Sequence, residues 1–313
     1  MTEKEQYIRF CEQRDDLPLF LQAWWMECVA GSKKWNVLLH KNSGGEIDAF
    51  LPYLSIQKYG FKLILQPNLS QTNGVWIDSS ADTEKEKITE FFIEKLSELK
   101  VDWYLQNYTF DFPCTSIFEQ HGYSVSQRHT FVIPNLTEDE QSLLQSIDSA
   151  QRRQIRKAER NGLTINEGTD IETFVHFHTM CLRIRNRENH NLQSVERFLI
   201  QEALRRGQGA LLYAKDLNGE PLAALFLVWD KTCAYYLIPA YDYQQKNSGA
   251  SSYLVWQAVL YAKKKGLLCF DFEGGNDASI GRFYRQFGSS EQSYPLIEKT
   301  SSWIIRLYKH FRR

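Results

Sequence analysis

The sequence has no apolar run long enough to span a bilayer. Its longest apolar strand candidate, Pro221 to Trp229, falls far short of the ~18–20 residues a membrane helix needs. The opening Met1-Thr2-Glu3-Lys4-Glu5-Gln6 lacks a basic start followed by an apolar stretch, so no signal peptide is expected. The cysteines, Cys11, Cys28, Cys114, Cys181, Cys233 and Cys269, are scattered without a CxxC pair. They indicate neither a disulfide framework nor a zinc site, and a reducing, cytoplasmic setting fits them. His176 and His178 lie two apart, on different faces of a helix, so no metal pair is expected there. No GxSxG, HExxH or Walker A sequence occurs. A net charge of −1 and a pI near 6.7 do not suggest bulk nucleic-acid binding.

The 313 residues are 43% hydrophobic and 24% charged, ordinary for a globular chain and long enough for two domains. The 8 Trp, 16 Tyr and 19 Phe are large units to bury, many with a polar handle that needs a partner. Charge is uneven along the chain. Residues 1–145 hold 13 Lys and Arg against 21 Asp and Glu, while the remainder holds 24 against 17. The basic half suits an anionic ligand such as a phosphorylated cofactor; mutual attraction of two lobes is the alternative.

Periodicity predicts a helix over 16–30, strands over 35–40 and 47–57 around the turn Asn42-Ser43-Gly44-Gly45, and a third strand beginning at Tyr59-Gly60. A helix over 84–100, a strand over 101–106, a short helix ending at Gly122 and a strand over 126–134 follow. Thr137 and Glu140 read as a capping box that opens one long helix to Asn161, with Gly162 as its C-cap. The rest is a strand over 163–167, helices over 170–185 and 194–206, and a meander over 210–241 turning at Asn218-Gly219. It ends with a helix over 251–265, a strand over 267–272, a helix over 279–287, a strand over 294–300 and a basic aromatic helix over 303–313. The two halves repeat one plan, and Phe118-Glu119-Gln120-His121-Gly122 stands where the second half has Tyr284-Arg285-Gln286-Phe287-Gly288. An internal duplication is expected, divided at 136/137.

Two junctions carry chemistry. Lys246-Asn247-Ser248-Gly249-Ala250-Ser251 lies between a strand and a helix, where small residues, backbone N–H groups and the helix dipole make an anion site. An ordinary Ser-capped loop is the alternative. The matching junction of the first half, Asp78-Ser79-Ser80-Ala81-Asp82-Thr83-Glu84, has no Gly and three acids, and would repel a pyrophosphate. Further on, strand alternation sets Asp271 and Glu273 on one face, with Glu273 at the strand's C-terminal end ahead of Gly274-Gly275.

The 246–251 loop resembles the acyl-CoA loop of the GNAT superfamily, Arg/Gln-x-x-Gly-x-Gly/Ala, with Lys246, Gly249 and Ser251 in those places. Tyr284, four residues before Gly288, is similar to the GNAT Tyr that protonates the departing thiolate; a buried Tyr with a satisfied hydroxyl is the alternative. Phe270 to Gly275, the helix after it, and Gln151 to Gly162 resemble Fem-type transferases. This likeness implies an α/β protein of two tandem GNAT-like lobes, each a mostly antiparallel sheet flanked by helices. Lobe 1–136 is expected to be degenerate and lobe 137–313 to hold the donor site. It implies N-acyl transfer from acetyl-CoA or a longer acyl-CoA, without metal, to an amine of a small-molecule or lipid-linked envelope precursor. The carbonyl is polarised by a backbone N–H near Ala240-Tyr241, Glu273 keeps the amine neutral, and Tyr284 is the acid. Arg153, Arg156 and Arg183 are candidates for the acceptor's phosphates, against a plain solvated face. An aminoacyl-tRNA-dependent Fem-type peptidyltransferase and a non-catalytic GNAT-fold binding protein are the rival readings. For helix 303–313, resting on an anionic membrane surface at the inner face competes with docking on the second lobe.

Overall fold

The computed structural model describes residues 1–187, 189 and 193–311, in two units: 1–128 with 293–313, and 129–292. The first unit opens with α1 (Glu3–Glu12), which the sequence reading omits although its signal is there. Thr2 caps the Glu5 N–H while the Glu5 carboxylate accepts from the Thr2 N–H. Tyr7 of this helix is fully buried. The helix expected over 16–30 is shorter: Pro18 leads a 3-10 turn, Leu19–Leu21, and α2 spans Ala23–Ala30. A meander follows, β1 (Trp35–Lys41), β2 (Ile47–Lys58) and β3 (Phe61–Leu65). Tyr59 and Gly60 join the last two strands, both at positive φ, as a two-residue hairpin turn demands. β4 (Trp76–Ile77) pairs with β2. The crossover helix α3 (Lys85–Glu98) then brings β5 (Trp103–Asn107) parallel to β3, before α4 (Thr115–Gln120) and β6 (Ser124–Ile133).

The single helix expected over 140–161 is two, α5 (Glu140–Ser146) and α6 (Ser149–Arg160). Thr137 caps neither: Asp139 accepts from the Ser142 N–H and Asp148 from the Ala150 N–H. The break lies at Ile147, extended and buried in the core, and the Asp148 N–H is held by the Gln286 carbonyl at 2.7 Å. Then come β7 (Thr164–Gly168), α7 (Ile171–Ile184), α8 (Gln193–Arg206), β8 (Gly209–Lys215), β9 (Pro221–Trp229) and β10 (Cys233–Tyr241). After them run α9 (Ala250–Lys264), β11 (Cys269–Asp271), α10 (Ala278–Arg285), β12 (Ser290–Thr300) and α11 (Trp303–Phe311).

In the second unit the strand order is β7-β8-β9-β10-β11-β6, antiparallel except for β10 and β11. Its core gathers Leu212, Leu225, Leu227, Leu254, Val255, Phe270, Phe272 and Phe287. In the first unit the order is β1-β2-β3-β5-β12, antiparallel except for β3 and β5. Its core is built on Phe92, Tyr108, Phe118 and Ile297.

The C-terminal segment departs from expectation. It was assigned to the second lobe, but Leu296–Thr300 pair with Asn107–Trp103 of the first unit. Lys309 of α11 pairs with Glu298 and lies over the Trp103 ring. Reciprocally, Val132 and Ile133 pair with Asp271 and Phe270 in the second unit. The compact units are therefore not divided by a single cut at 136/137, because each half's last strand completes the other's sheet. Arg312 and Arg313 lie outside the described residues. No helix among those described is long and apolar enough to cross a membrane.

Candidate functional site

In the second unit β10 and β11 are paired only at their first three residues: Cys233 with Cys269, Ala234 with Phe270, Tyr235 with Asp271. Beyond that the strands part. β10 continues to Tyr241 along β9, with a bulge between Tyr236 and Ile238, while Phe272 donates its N–H to the Phe131 carbonyl. Tyr236 to Tyr241 therefore have no partner on the β11 side, which opens a fork beside a bulge. Ala240 is buried and Tyr241 half-buried on this edge. At the closed end the structure corrects the cysteine reading. Cys233 and Cys269, 36 residues apart, are set side by side by the parallel register and joined as a disulfide with Cα atoms 4.7 Å apart.

The 246–251 segment leads into α9 on one side of this fork. Gly249 is its N-cap, left-handed at φ 83. A Cβ there would meet the Gln154 carbonyl of α6 at 2.4 Å. Gly249 is thus demanded by its φ and by close approach to α6, beyond the unobstructed backbone the sequence suggested. The Ser248 hydroxyl accepts from the Ala250 N–H. Among the described residues no hydrogen bond engages the Ser251 and Ser252 N–H groups, the usual state of donors in a first helical turn. Lys246 and Asn247 are exposed, and the Lys246 ammonium lies over the Tyr243 ring. Ser252 donates to Gln151 Oε1 at 2.6 Å, and Gln151 Nε2 donates to Gln286 Oε1 at 2.6 Å. One α6 glutamine so ties the start of α9 to the end of α10, a link no sequence motif announces.

On the other side of the fork stands the glycine corner. β11 ends at Asp271, shorter than expected, and Glu273 takes a left-handed conformation at φ 59, which costs a non-glycine residue about 1–3 kcal/mol. Three hydrogen bonds hold it: Glu273 N–H to Asp271 Oδ1, Thr130 hydroxyl to the same oxygen, and Gly274 N–H to Thr130 Oγ1. Gly275 packs on Phe131, where a Cβ would come within 2.5 Å of the ring. Glu273 Oε1 is sealed from solvent with no partner in the protein. Burial, and then the charge of Asp271, push the Glu273 carboxyl well above the ordinary carboxylate range.

Asp277 caps α10, while the preceding Asn276 exchanges hydrogen bonds with the His129 backbone. Tyr284 of α10 stacks on Phe272 with ring centroids 4.5 Å apart and meets Tyr236 edge-on. Its hydroxyl makes no hydrogen bond among the described residues. Burial first, then Glu273, Tyr241 and Asp271, raise its pKa and keep it protonated. Tyr284, Glu273 and Tyr241 are thereby brought together at the fork.

The candidate arginines do not converge there. Arg153 and Arg156 are exposed on α6 and make no ion pair among the described residues, and the same holds for Arg183 on α7. Arg185, one helical step on, lies over the rings of Tyr241 and Tyr243 at 5.2 and 5.8 Å. His178 is buried against Glu196, a link between α7 and α8.

A family model described as an acetyltransferase (GNAT) domain matches residues 149–284, the span that holds the fork, α9, the glycine corner and Tyr284. The crystal structure of FemX has a TM-score of 0.75 with this chain at 12% identity, covering 100% of this chain and 99% of that one. Residues 149–284 thus match a GNAT acetyltransferase domain, and the chain shares the fold of FemX. L-PGS from Bacillus licheniformis gives a TM-score of 0.63 at 11% identity, covering 98% of this chain and 96% of the other. A tandem GNAT protein from the clavulanic acid biosynthesis pathway gives 0.55 at 10%, covering 96% and 94%. At such identities these structures speak for the fold of this chain alone. No curated protein matches it.

Proposed function

We propose that this protein transfers an acyl group from acyl-CoA to an amine, with the second unit as the working site. The observation that carries this is a Glu273 Oε1 sealed from solvent with no partner among the described residues, next to Phe272, on which the Tyr284 ring stacks while it meets Tyr236 across the fork. Beside that fork, the first turn of α9 offers backbone N–H groups free of protein partners. Those N–H groups, the dipole of α9 and Lys246 fit a pyrophosphate. The thioester supplies an activated carbonyl and a thiolate leaving group. The free edge of β10 at Ala240 and Tyr241 orients that carbonyl and polarises it through a backbone N–H. Glu273, once ionised, accepts the proton that the attacking amine sheds as its C–N bond forms. Tyr284 gives its proton to the sulfur as the C–S bond breaks, and the pair resets when the proton passes from Glu273 to Tyr284. The acceptor is an amine of a small-molecule or lipid-linked precursor, with Arg185 better placed than Arg183 for an anionic group on it.

The test is release of free thiol from acetyl-CoA and a longer acyl-CoA in the presence of a panel of amines. Thiol release that requires an amine and collapses in Tyr284→Phe supports the reading; amine-independent or unaltered release refutes it. A second donor, aminoacyl-tRNA, is favoured by the unpaired Arg153 and Arg156 on α6. It predicts tRNA binding that weakens steeply with salt and is lost in Arg153→Glu/Arg156→Glu.

A further inference from the structure

The last helix of the first unit, α11, shows solvent the wrong face. Ile305 is buried at 7% exposure, and Lys309, on the same side, is committed to Glu298. The opposite side carries Trp303 at 72%, Leu307 at 49% and Phe311 at 79% exposure, spaced four residues apart, with Ile304 beside them at 46%. Residues four apart stack along one face of a helix, so this is a continuous apolar stripe. It is not spare docking surface for the chain itself, because the helix already uses its other side on its own unit.

The charges around the stripe say what covers it. From Thr300 to Arg313 the sequence holds no Asp or Glu, but it has Arg306, Lys309, Arg312 and Arg313. Arg306 is exposed beside the stripe, its Nε bonded only to the Thr300 carbonyl, and makes no ion pair among the described residues. His310 flanks it on the same side and is exposed. An aromatic, aliphatic stripe edged by cations matches the acyl boundary and headgroups of an anionic bilayer. In a twofold pair of chains the same acid-free segment would face itself, cation against cation.

We propose that α11 is a peripheral anchor that lies in the surface of an anionic lipid bilayer. Trp303, Ile304, Leu307 and Phe311 enter the interface, and Arg306 meets the headgroups. The proposal does not depend on the acyl-transfer reading. It is tested by pelleting the full chain with phosphatidylcholine vesicles with and without phosphatidylserine. The expected result is pelleting with the anionic vesicles and little with the neutral ones. Trp303→Ser/Leu307→Ser/Phe311→Ser should reduce partitioning by about tenfold or more, since binding scales with buried apolar area. Arg306→Gln should weaken it about fivefold at low salt. The triple variant alters exposed side chains only and should melt as the wild type does. Failure of the wild type to pellet, or equal pelleting of the triple variant, overturns the proposal. So does a wild-type dimer, seen by sedimentation velocity, that dissociates in the triple variant without any vesicle binding, since a second copy would then cover the stripe.

Discussion

Both units cross from the third strand of a meander to a parallel neighbour through a helix, β3–α3–β5 in one and β10–α9–β11 in the other. They enter that helix differently. α9 begins after a left-handed glycine N-cap preceded by Lys246, whereas α3 follows a 3-10 turn over Ser79–Glu84 with Glu84 as its N-cap, so acids stand in place of cations. The helices after the crossing differ as well. Phe118 is fully buried in the first core, while its counterpart Tyr284 is half-buried with an unbonded hydroxyl. The first unit does carry an open cavity of about 550 Å³, in whose lining Arg14 is paired with Asp78 and Asp48 with His40. In the proposed function one topology serves packing in one place and chemistry in the other, and the difference lies in a few side chains at the same two junctions.

Exchanging those side chains breaks or sharpens the contrast. The largest effect is expected from Tyr284→Phe, which removes the acid and slows turnover by about 10²–10⁴-fold with an unchanged thermal midpoint. Phe118→Tyr should add no activity, and its hydroxyl, placed in a packed core, costs about 1–3 kcal/mol in denaturant unfolding. Next is Gly249→Val. The left-handed φ and the contact with the Gln154 carbonyl together should cost about 3 kcal/mol, whereas Glu84→Gly at the counterpart should change stability by under about 1 kcal/mol.

Glu273 gives a pH signature. Its folded pKa is raised over an unfolded value of about 4.3, so between the two values the folded state binds more protons than the unfolded state. Its favourable term is present below the unfolded value and is lost as pH rises through the folded one. Glu273→Gln should therefore gain stability relative to wild type as unfolding is followed from acid toward neutral pH. In the wild type, turnover should rise across the same interval as the base ionises. The smallest effect is expected from Gln151→Ala. It breaks the links to Ser252 and Gln286 at a cost of about 1 kcal/mol and raises KM for the donor more than it lowers kcat.

The meanders, the crossover helices and the 218–219 turn were legible because alternation, helical periodicity and turn residues each leave a local mark. What escaped depends on long-range pairing. Nothing near Leu296 announces that it pairs beside Asn107, or near Ile133 that it pairs beside Phe270. Cys233 and Cys269 meet only once the parallel register is known. At the candidate site, motif and alternation single out Lys246, Gly249, Glu273 and Tyr284, but alternation does not show that β11 ends at Asp271 and leaves Glu273 left-handed beyond it. Arg185, Thr130 and Gln151 were not, since their roles come from rings, a buried carboxylate and two helix ends supplied by distant segments.

The central claim is that only the second unit holds the acyl donor. It is tested most directly by calorimetric titration of the full chain with acetyl-CoA and a longer acyl-CoA, alongside Ser251→Glu. An acid in the first turn of α9 favours the helix but repels a pyrophosphate, so the variant should stay folded. The account predicts one donor bound per chain and none to the variant. Two donors per chain, none with either acyl-CoA, or undiminished binding to Ser251→Glu would contradict it.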